Sequence, residues 1–571
     1  MMNIFRVMKD KLHLMALMLL FLVVEVYCDL SLPSYTADIV DMGIRNADFN
    51  VIYSVGLSMV GMVAISTVAT VVVAYFSSIV SSRYARDLRE VVFKRILGFS
   101  NHELNRFSRA SLITRSTNDI NQIQNVMGML FRTLLFAPII ALGGIIKVLE
   151  IGSDLSWIIV LAFVSVSVLL VFVIRNVLPA FRRTQIIVDY INRVSREILL
   201  GVPVIKAFVR QDYENQRFDR FNVEYRDVNL RVYRILFLMI PAMTLIMNLM
   251  IVLILYFGLF DVLDGRLLTG DVIAFVQYST QIVTSFIMIG SLTIMLPRVL
   301  ISARRVEEVL STEGSIIGGV HASCEGDAIL EFRNVSYRYP NALRDTLHDV
   351  TFSLCPGRVT AIIGGTGSGK STILSLIPRL QDVTSGVILL DGRNIRDYDL
   401  NYLRSKTAIV PQDAVLFSGT VADNLRRGKS DASDDELLGA LKVADACDFV
   451  GSLDMDVSQG GANFSGGQKQ RLSIARAVVG GHDFYLFDDC FSALDVATES
   501  LVKSNLVDVT SNASVLMVSQ RVSSIMDADE IIVLDDGRIV DKGTHDELLG
   551  RCSIYGEIFS SQMGSMGGRD A

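Results

Sequence analysis

Nine residues, Gly364-Gly365-Thr366-Gly367-Ser368-Gly369-Lys370-Ser371-Thr372, combine four glycines, one lysine and four hydroxyls in a single stretch. Such a run suits phosphate. Glycine lets the backbone curl so that successive N–H groups face an anion, Lys370 reaches terminal phosphates, and the Ser371 hydroxyl can meet magnesium. The apolar run Val359 to Ile363 ahead of it reads as a strand, and Ser371 to Leu376 begins a helix, which is the context such a loop requires. A second apolar strand, Phe484 to Phe487, ends at Asp488, placed to organise Mg2+ through its water shell, and Asp489 follows. The implied cofactors are ATP and Mg2+.

These groups are held by a chain of 571 residues whose halves differ in character. Apolar residues make up 51%. Long apolar stretches around 12–28, 51–80, 128–147, 156–178, 235–260 and 272–300 each approach the length that crosses a hydrocarbon core. Arg6, Lys9 and Lys11 precede the first, while Arg83, Arg86, Arg89, Lys94 and Arg95 follow the second, so both termini are expected in the cytosol. The first stretch reads as a retained helix and not a signal peptide, because it carries Pro33 and runs on without a small-residue cleavage site. Polar, periodic excursions at 81–127 and 179–232 read as membrane helices continuing into the cytosol.

Glycines concentrate at 311–327, a linker by composition, and strand-like runs then recur at 348–355, 358–363, 386–391, 406–411, 484–487, 514–519 and 530–534. The expected fold is multidomain. An all-α six-helix transmembrane domain over 1–310 is followed by the linker and by an α/β P-loop nucleotide-binding domain over 328–571 with an antiparallel β subdomain. A net charge of -7 and the lack of a dense Lys/Arg block argue against a nucleic-acid partner. The six cysteines are scattered, without metal-ligand spacing.

Taken in order, these motifs resemble one subunit of an ATP-binding cassette exporter along essentially the full chain. By that resemblance Tyr339 stacks on adenine and Gln412 senses the metal and the membrane domain. Phe464-Ser465-Gly466-Gly467-Gln468 matches the family signature, with Phe464 where Leu is usual, and Ser492-Ala493-Leu494-Asp495 matches the loop that crosses between paired nucleotide domains. Segments near 99–106 and 208–215 become coupling helices that dock on nucleotide domains. Nucleotide sites in the family form between two subunits, so Ser465 and Gly467 would act on a partner's site. Small residues and a helix N-terminus at that place also suit close approach to a phosphate.

Two positions depart from the family pattern. Asp489 stands where a Glu polarises the attacking water, and one lost methylene can misplace a base by about 1 Å, which costs on the order of 100-fold in rate. Gln520 stands at the switch position of a His and can donate a hydrogen bond but never become cationic. The resemblance then implies the degenerate-site subunit of a heterodimeric multidrug-type exporter, whose partner is a different half-transporter carrying the Glu and His. A slowly hydrolysing homodimer is the alternative, and an ATP-gated channel or regulatory membrane subunit is another. Membrane lipids and a transported substrate of open identity complete the expected partners, at a bacterial cytoplasmic membrane with the nucleotide domain cytosolic.

Overall fold

The computed structural model describes residues 11–151, 155–321, 328–340 and 342–564. Arg6, Lys9 and positions 322–327 of the expected linker lie outside the described residues. The chain divides into two compact units, one of residues up to Leu97 plus Arg109–Thr312, the other of Gly98–Ser108 plus Glu313 onward.

The first unit is all helix: α1 (Leu12–Asp38) and α2 (Phe49–Leu97), then, beyond a short helix of the other unit, α4 (Arg109–Ser116), α5 (Asn118–Ile151), α6 (Ser156–Ala207), α7 (Gln211–Leu263) and α8 (Thr269–Ser311). The intervening α3 (Asn101–Phe107) belongs to the second unit. Six stretches are long and apolar enough to cross a membrane. Lipid offers no hydrogen bonds, so a spanning backbone must satisfy itself, and helix is the form available to a segment with this composition. At about 1.5 Å per residue, the 49 residues of α2 and the 52 of α6 far exceed a hydrocarbon core of about 30 Å. They carry on through the polar excursions, as their periodicity implied.

Pro33, Pro138, Pro179 and Pro241 sit inside α1, α5, α6 and α7 without ending them, and a π-helical segment, Ile39–Ile44, closes the end of α1. Side chains such as Leu57, Val60, Val68 and Val71 on α2 are exposed, as a lipid-facing surface requires. Polar clasps fix the helices to one another. Lys11 Nζ meets Asp87 Oδ2 at 2.5 Å, Tyr278 Oη donates to the Leu30 carbonyl at 2.9 Å, and Ser302 Oγ donates to Asp119 Oδ1 at 2.8 Å.

The second unit is built on two sheets. A four-stranded antiparallel sheet has the order β2-β1-β4-β5, made of β1 (Leu330–Tyr337), β2 (Leu347–Leu354), β4 (Ser385–Leu390) and β5 (Arg393–Asn394). The larger sheet runs β12-β11-β3-β10-β9-β6, from β3 (Val359–Ile363), β6 (Thr407–Val410), β9 (Phe484–Asp488), β10 (Ser514–Val518), β11 (Glu530–Asp535) and β12 (Arg538–Gly543). Five of these are parallel and β12 pairs antiparallel on β11. The parallel strands are buried almost throughout because helices cover both faces, which is why they read as unbroken apolar runs.

β12 was invisible to that reading. Its residues Arg538-Ile539-Val540-Asp541-Lys542-Gly543 alternate between exposed and half-buried at a sheet edge, so no apolar run announces them. The helices that serve the site are α9 (Lys370–Leu376), α10 (Leu400–Ser405), α11 (Val421–Leu425), α12 (Asp434–Val443), α13 (Gly466–Val478), α14 (Val496–Thr510), α15 (His545–Arg551) and α16 (Ser553–Gly564). A small pairing of β7 (Gly419–Thr420) with β8 (Asp456–Val457) completes the described strands.

α3 is anchored within this second unit. Ser100 caps it, accepting from His102 N at 3.1 Å, while Glu103 Oε2 accepts from Ser100 N at 2.8 Å and from Ser100 Oγ at 2.7 Å. The Ser100 and Ser315 hydroxyls lie 2.9 Å apart, and Phe99 stacks on Phe107 with both rings buried.

Candidate functional site

β3 delivers the chain into the glycine loop, and α9 leaves it. Gly367 and Gly369 have φ of +86° and +101°, a left-handed backbone closed to most side chains. A Cβ at Gly364 would lie 2.0 Å from the Leu534 carbonyl, whereas Gly365 and Gly367 face open space where a larger group can approach the backbone. Thr366 and Ser371 are exposed, while Ser368 and Thr372 are buried. Lys370 is only 7% exposed, and its ammonium donates to the carbonyls of Gly364 at 2.8 Å and Gly365 at 2.7 Å, and to Ser368 Oγ at 3.3 Å. Burial holds its pKa below the usual lysine value, against the pull of Asp489 and Asp488. A cation on carbonyls in an open loop of N–H groups is matched to a polyphosphate.

β9 ends beside this loop. Ser371 Oγ donates to Asp488 Oδ1 at 3.0 Å, and Gln412, just beyond β6, donates from Nε2 to Asp489 Oδ2 at 3.4 Å. Burial pushes both carboxyls above the ordinary carboxylate range, against the Ser371 hydrogen bond for Asp488 and the Gln520 backbone amide for Asp489. Asp489 has a left-handed φ of +46°, a conformation that Asp enters more readily than most residues.

These oxygens suit a hard cation. No cluster of three or more His, Cys, Asp or Glu fit for a metal occurs among the described residues, so a protein cage is absent there. A hydroxyl, an amide oxygen and one carboxylate, with phosphate and water supplying the rest, is how Mg2+ is commonly held.

Neighbouring segments brace the acids. Asp489 N donates to the Val518 carbonyl at 2.8 Å, Ser492 Oγ to the Asp489 carbonyl at 2.7 Å, and an Arg521 guanidinium nitrogen to the Ser492 carbonyl at 3.1 Å. Gln520 itself is exposed. Its carbonyl accepts from Gln562 Nε2 at 2.7 Å, and Gln562 Oε1 accepts from Val522 N at 2.8 Å, so α16 holds the loop after β10. Gln470 of α13 donates to the Gln412 carbonyl. Neither Gln562 nor Gln470 stood out in the sequence. For Gln470 a signal existed, since a polar residue on the buried stripe of an amphipathic helix needs a partner.

The signature residues form their own cluster at the start of α13. Ser465 Oγ accepts from Gln468 N at 3.3 Å and Gln468 Oε1 from Ser465 N at 2.9 Å, a reciprocal cap. A Cβ on Gly467 would approach the Ala493 carbonyl to 3.1 Å, and Gly466 faces open space. Phe464 turns inward and packs edge-on to Phe449 at 6.0 Å, so the Leu-to-Phe departure concerns the core.

Tyr339 reaches Thr372, hydroxyl to hydroxyl, at 3.1 Å. Its ring shares a cleft of about 550 Å³ with Asn101, His102, Asn105 and Arg106 of α3. Those α3 residues beside the tyrosine were not anticipated, because nothing in a local pattern records which strand a turn lands on.

Residues 15–286 match the model of the ABC transporter transmembrane region, and residues 347–492 match that of the ABC transporter. An uncharacterized ABC transporter ATP-binding protein of Mycobacterium tuberculosis is 39% identical over 558 residues, 96% of each chain. The chain belongs to the ABC transporter family. The transporter is also similar to the ATP-dependent lipid A-core flippase of Salmonella typhimurium, at 27% identity over 95% of this chain and 94% of that one. A solved structure of a bacterial Atm1-family ABC exporter with ATP bound superposes with a TM-score of 0.81, at 26% identity, covering 97% of this chain and 98% of that one. The transporter is a multi-pass membrane protein with a cytosolic nucleotide-binding domain, it binds ATP with Mg2+, and it contributes to a membrane exporter.

Three linked expectations are corrected. The transporter resembles an Atm1-family exporter with ATP bound along nearly its whole length, and not the degenerate-site subunit of a heterodimeric multidrug-type exporter. The expected function, an impaired site lending its signature to a catalytic partner, falls with it, as does the distinct partner chain carrying Glu and His. The physical reason lies at Asp489. One missing methylene shortens the side chain, yet an acid remains at the end of β9, its pKa raised by burial and its carboxylate within reach of Gln412.

Proposed function

We propose that the transporter works as a homodimeric, ATP-driven exporter that turns over slowly on its own residues, with domains at 1–310 and 328–571 joined by the linker 311–327. The observation that carries this reading is the row of Lys370, Ser371, Asp488, Asp489 and Gln412 gathered at the strand ends of one sheet. It holds a cation for phosphate, oxygens for a metal and an acid for water.

In the proposed cycle Lys370 exchanges the carbonyls of Gly364 and Gly365 for terminal phosphate oxygens, and Tyr339 lies under adenine. The N–H groups from Gly364 to Thr372 wrap the phosphates. Ser371, Gln412 and Asp488 hold Mg2+, which when bound neutralises charge on the phosphate oxygens. Asp489 orients the attacking water and accepts its proton, and Gln520 donates a hydrogen bond to the terminal phosphate. Ser465, Gly467 and Gln468, at the N-terminus of α13, act on nucleotide held by the second copy. The short Asp489 and the uncharged Gln520 account for slow turnover.

A second copy is further supported by the last turns of α6 and the connection to α7. Leu199, Leu200, Phe208 and Val209 there are 74%, 79%, 73% and 80% exposed, whereas Phe99 and Phe107 of the first turn are 8% and 5% exposed. An apolar tip at the cytosolic end of two long helices has no lipid to cover it, and a nucleotide domain of another copy is a suitable cover.

The test is ATP turnover by the purified transporter alone in nanodiscs, with particle mass measured in parallel. Turnover by a dimer, abolished by Lys370→Ala, is the expected result. No turnover by the chain alone overturns the proposal.

A further inference from the structure

A cavity of about 670 Å³ opens between α1, α2, α5 and α8, within the size range of small-molecule sites. Its wall mixes apolar and polar groups although it lies among membrane helices, the polar ones including Gln124 and Asn125 of α5 and several serines of α2. Glu25 of α1 lines it and is only 5% exposed. Its Oε1 accepts from Thr70 Oγ1 at 2.7 Å, but its buried Oε2 has no hydrogen-bond partner. An acid within a span is expensive to keep, and one that lines a cavity while one of its buried oxygens lacks a partner is suited to receive a donor. Arg132 lines the same cavity, close enough for its charge to act on Glu25. Phe136 and Met288 supply apolar wall.

We infer that this cavity binds an amphipathic zwitterion. Its ammonium donates to Glu25 Oε2, its anionic group lies against Arg132, and its apolar part rests beside Phe136 and Met288. A simple cation would meet the repulsion of Arg132 and a simple anion that of Glu25, so a ligand carrying both charges fits where neither alone does. The chemistry is shared by an aminophospholipid headgroup and by a small free zwitterion such as a short peptide. The inference rests on the exporter reading, for which it names the substrate class.

The experiment uses the full transporter in phosphatidylcholine nanodiscs, with two probes and their blocked counterparts. Phosphatidylethanolamine is compared with its N-acetylated form, and an apolar dipeptide with free termini is likewise compared with its N-acetylated form. Direct binding and stimulation of ATP turnover are both read. One free-amine probe is expected to bind about tenfold or more tightly than its blocked form, the size of a lost charge-assisted hydrogen bond. The lipid arm alone responding assigns a headgroup, and the peptide arm alone assigns a free solute. Glu25→Gln should erase the preference for the free amine, and Glu25→Asp should keep part of it.

Equal binding of free and blocked forms, or no binding of either probe, overturns the inference, and the wild-type comparison stands even where Glu25→Gln does not fold. Ligand-free turnover in the same discs, sensitive to Lys370→Ala, reports separately on the exporter reading. Its presence with silent probes overturns the zwitterion alone, and its absence overturns the exporter.

Discussion

In the proposed function Asp489 carries the chemistry that the sequence left most open. A base two bonds from the backbone has less reach than one three bonds away, yet its environment compensates in one respect, because a buried carboxylate is a stronger proton acceptor than an exposed one. Asp489→Asn keeps the shape and the hydrogen bond to Gln412 but removes the base. It should lower kcat by about 100-fold or more while leaving the KM for ATP nearly unchanged, as steady-state kinetics would read. The raised pKa also fixes a pH dependence. Water activation requires the ionised form, so turnover should fall as pH drops through a value above the ordinary aspartate figure of 3.8, and a pH–rate profile of kcat should place its acid limb there. The same limb should vanish from the residual activity of Asp489→Asn.

The short helix α3 shows how a few hydrogen bonds set the behaviour of an element. Burial alone would push the Glu103 carboxyl up, but hydrogen bonds from the Ser100 hydroxyl and amide and from Ser315 outweigh it and hold the pKa below the ordinary 4.5. A lowered pKa means that Glu103 stabilises the fold when ionised, fully above the unfolded value and less as pH falls through the folded one. Glu103→Gln should therefore cost about 1 kcal/mol near neutral pH, and calorimetry should find that difference shrinking in acid. Arg106 and His102 on the same helix share the cleft with Tyr339, so Arg106→Ala should alter the KM for ATP more than kcat. At the end of α6 and the connection to α7, Leu200→Ser with Phe208→Ser should leave ATP binding intact while lowering transport per ATP hydrolysed, measured with reconstituted vesicles. The two turns looked alike in sequence, each amphipathic and flanked by long helical stretches. What separated them was burial, which depends on contacts hundreds of residues away, such as Ser100 with Ser315.

For the assembled transporter the same contrast explains what the sequence could and could not say. Six spans, the phosphate loop and the parallel strands were legible because each rests on a local rule: lipid demands apolar length, phosphate demands glycine and lysine, and a buried strand demands an unbroken apolar run. The β12 edge strand and the bracing role of Gln562 were not legible, and for Gln470 the need for a partner was legible but not which partner, since these depend on which distant backbone lies alongside. Partner choice failed for a related reason. Residue types at two positions do not decide dimer composition, which depends on whole surfaces, and native mass measurement after mild extraction should find two copies of this chain. Gln562 has one more consequence, for whoever purifies the protein. It joins α16 to the backbone of Gln520 and Val522, so a bulky fusion or affinity label placed just behind that helix pulls on the loop after β10, which in the proposed cycle meets the terminal phosphate. Kinetic constants from such a protein would bear the imprint of the label, and moving it to the opposite end of the chain would remove that imprint.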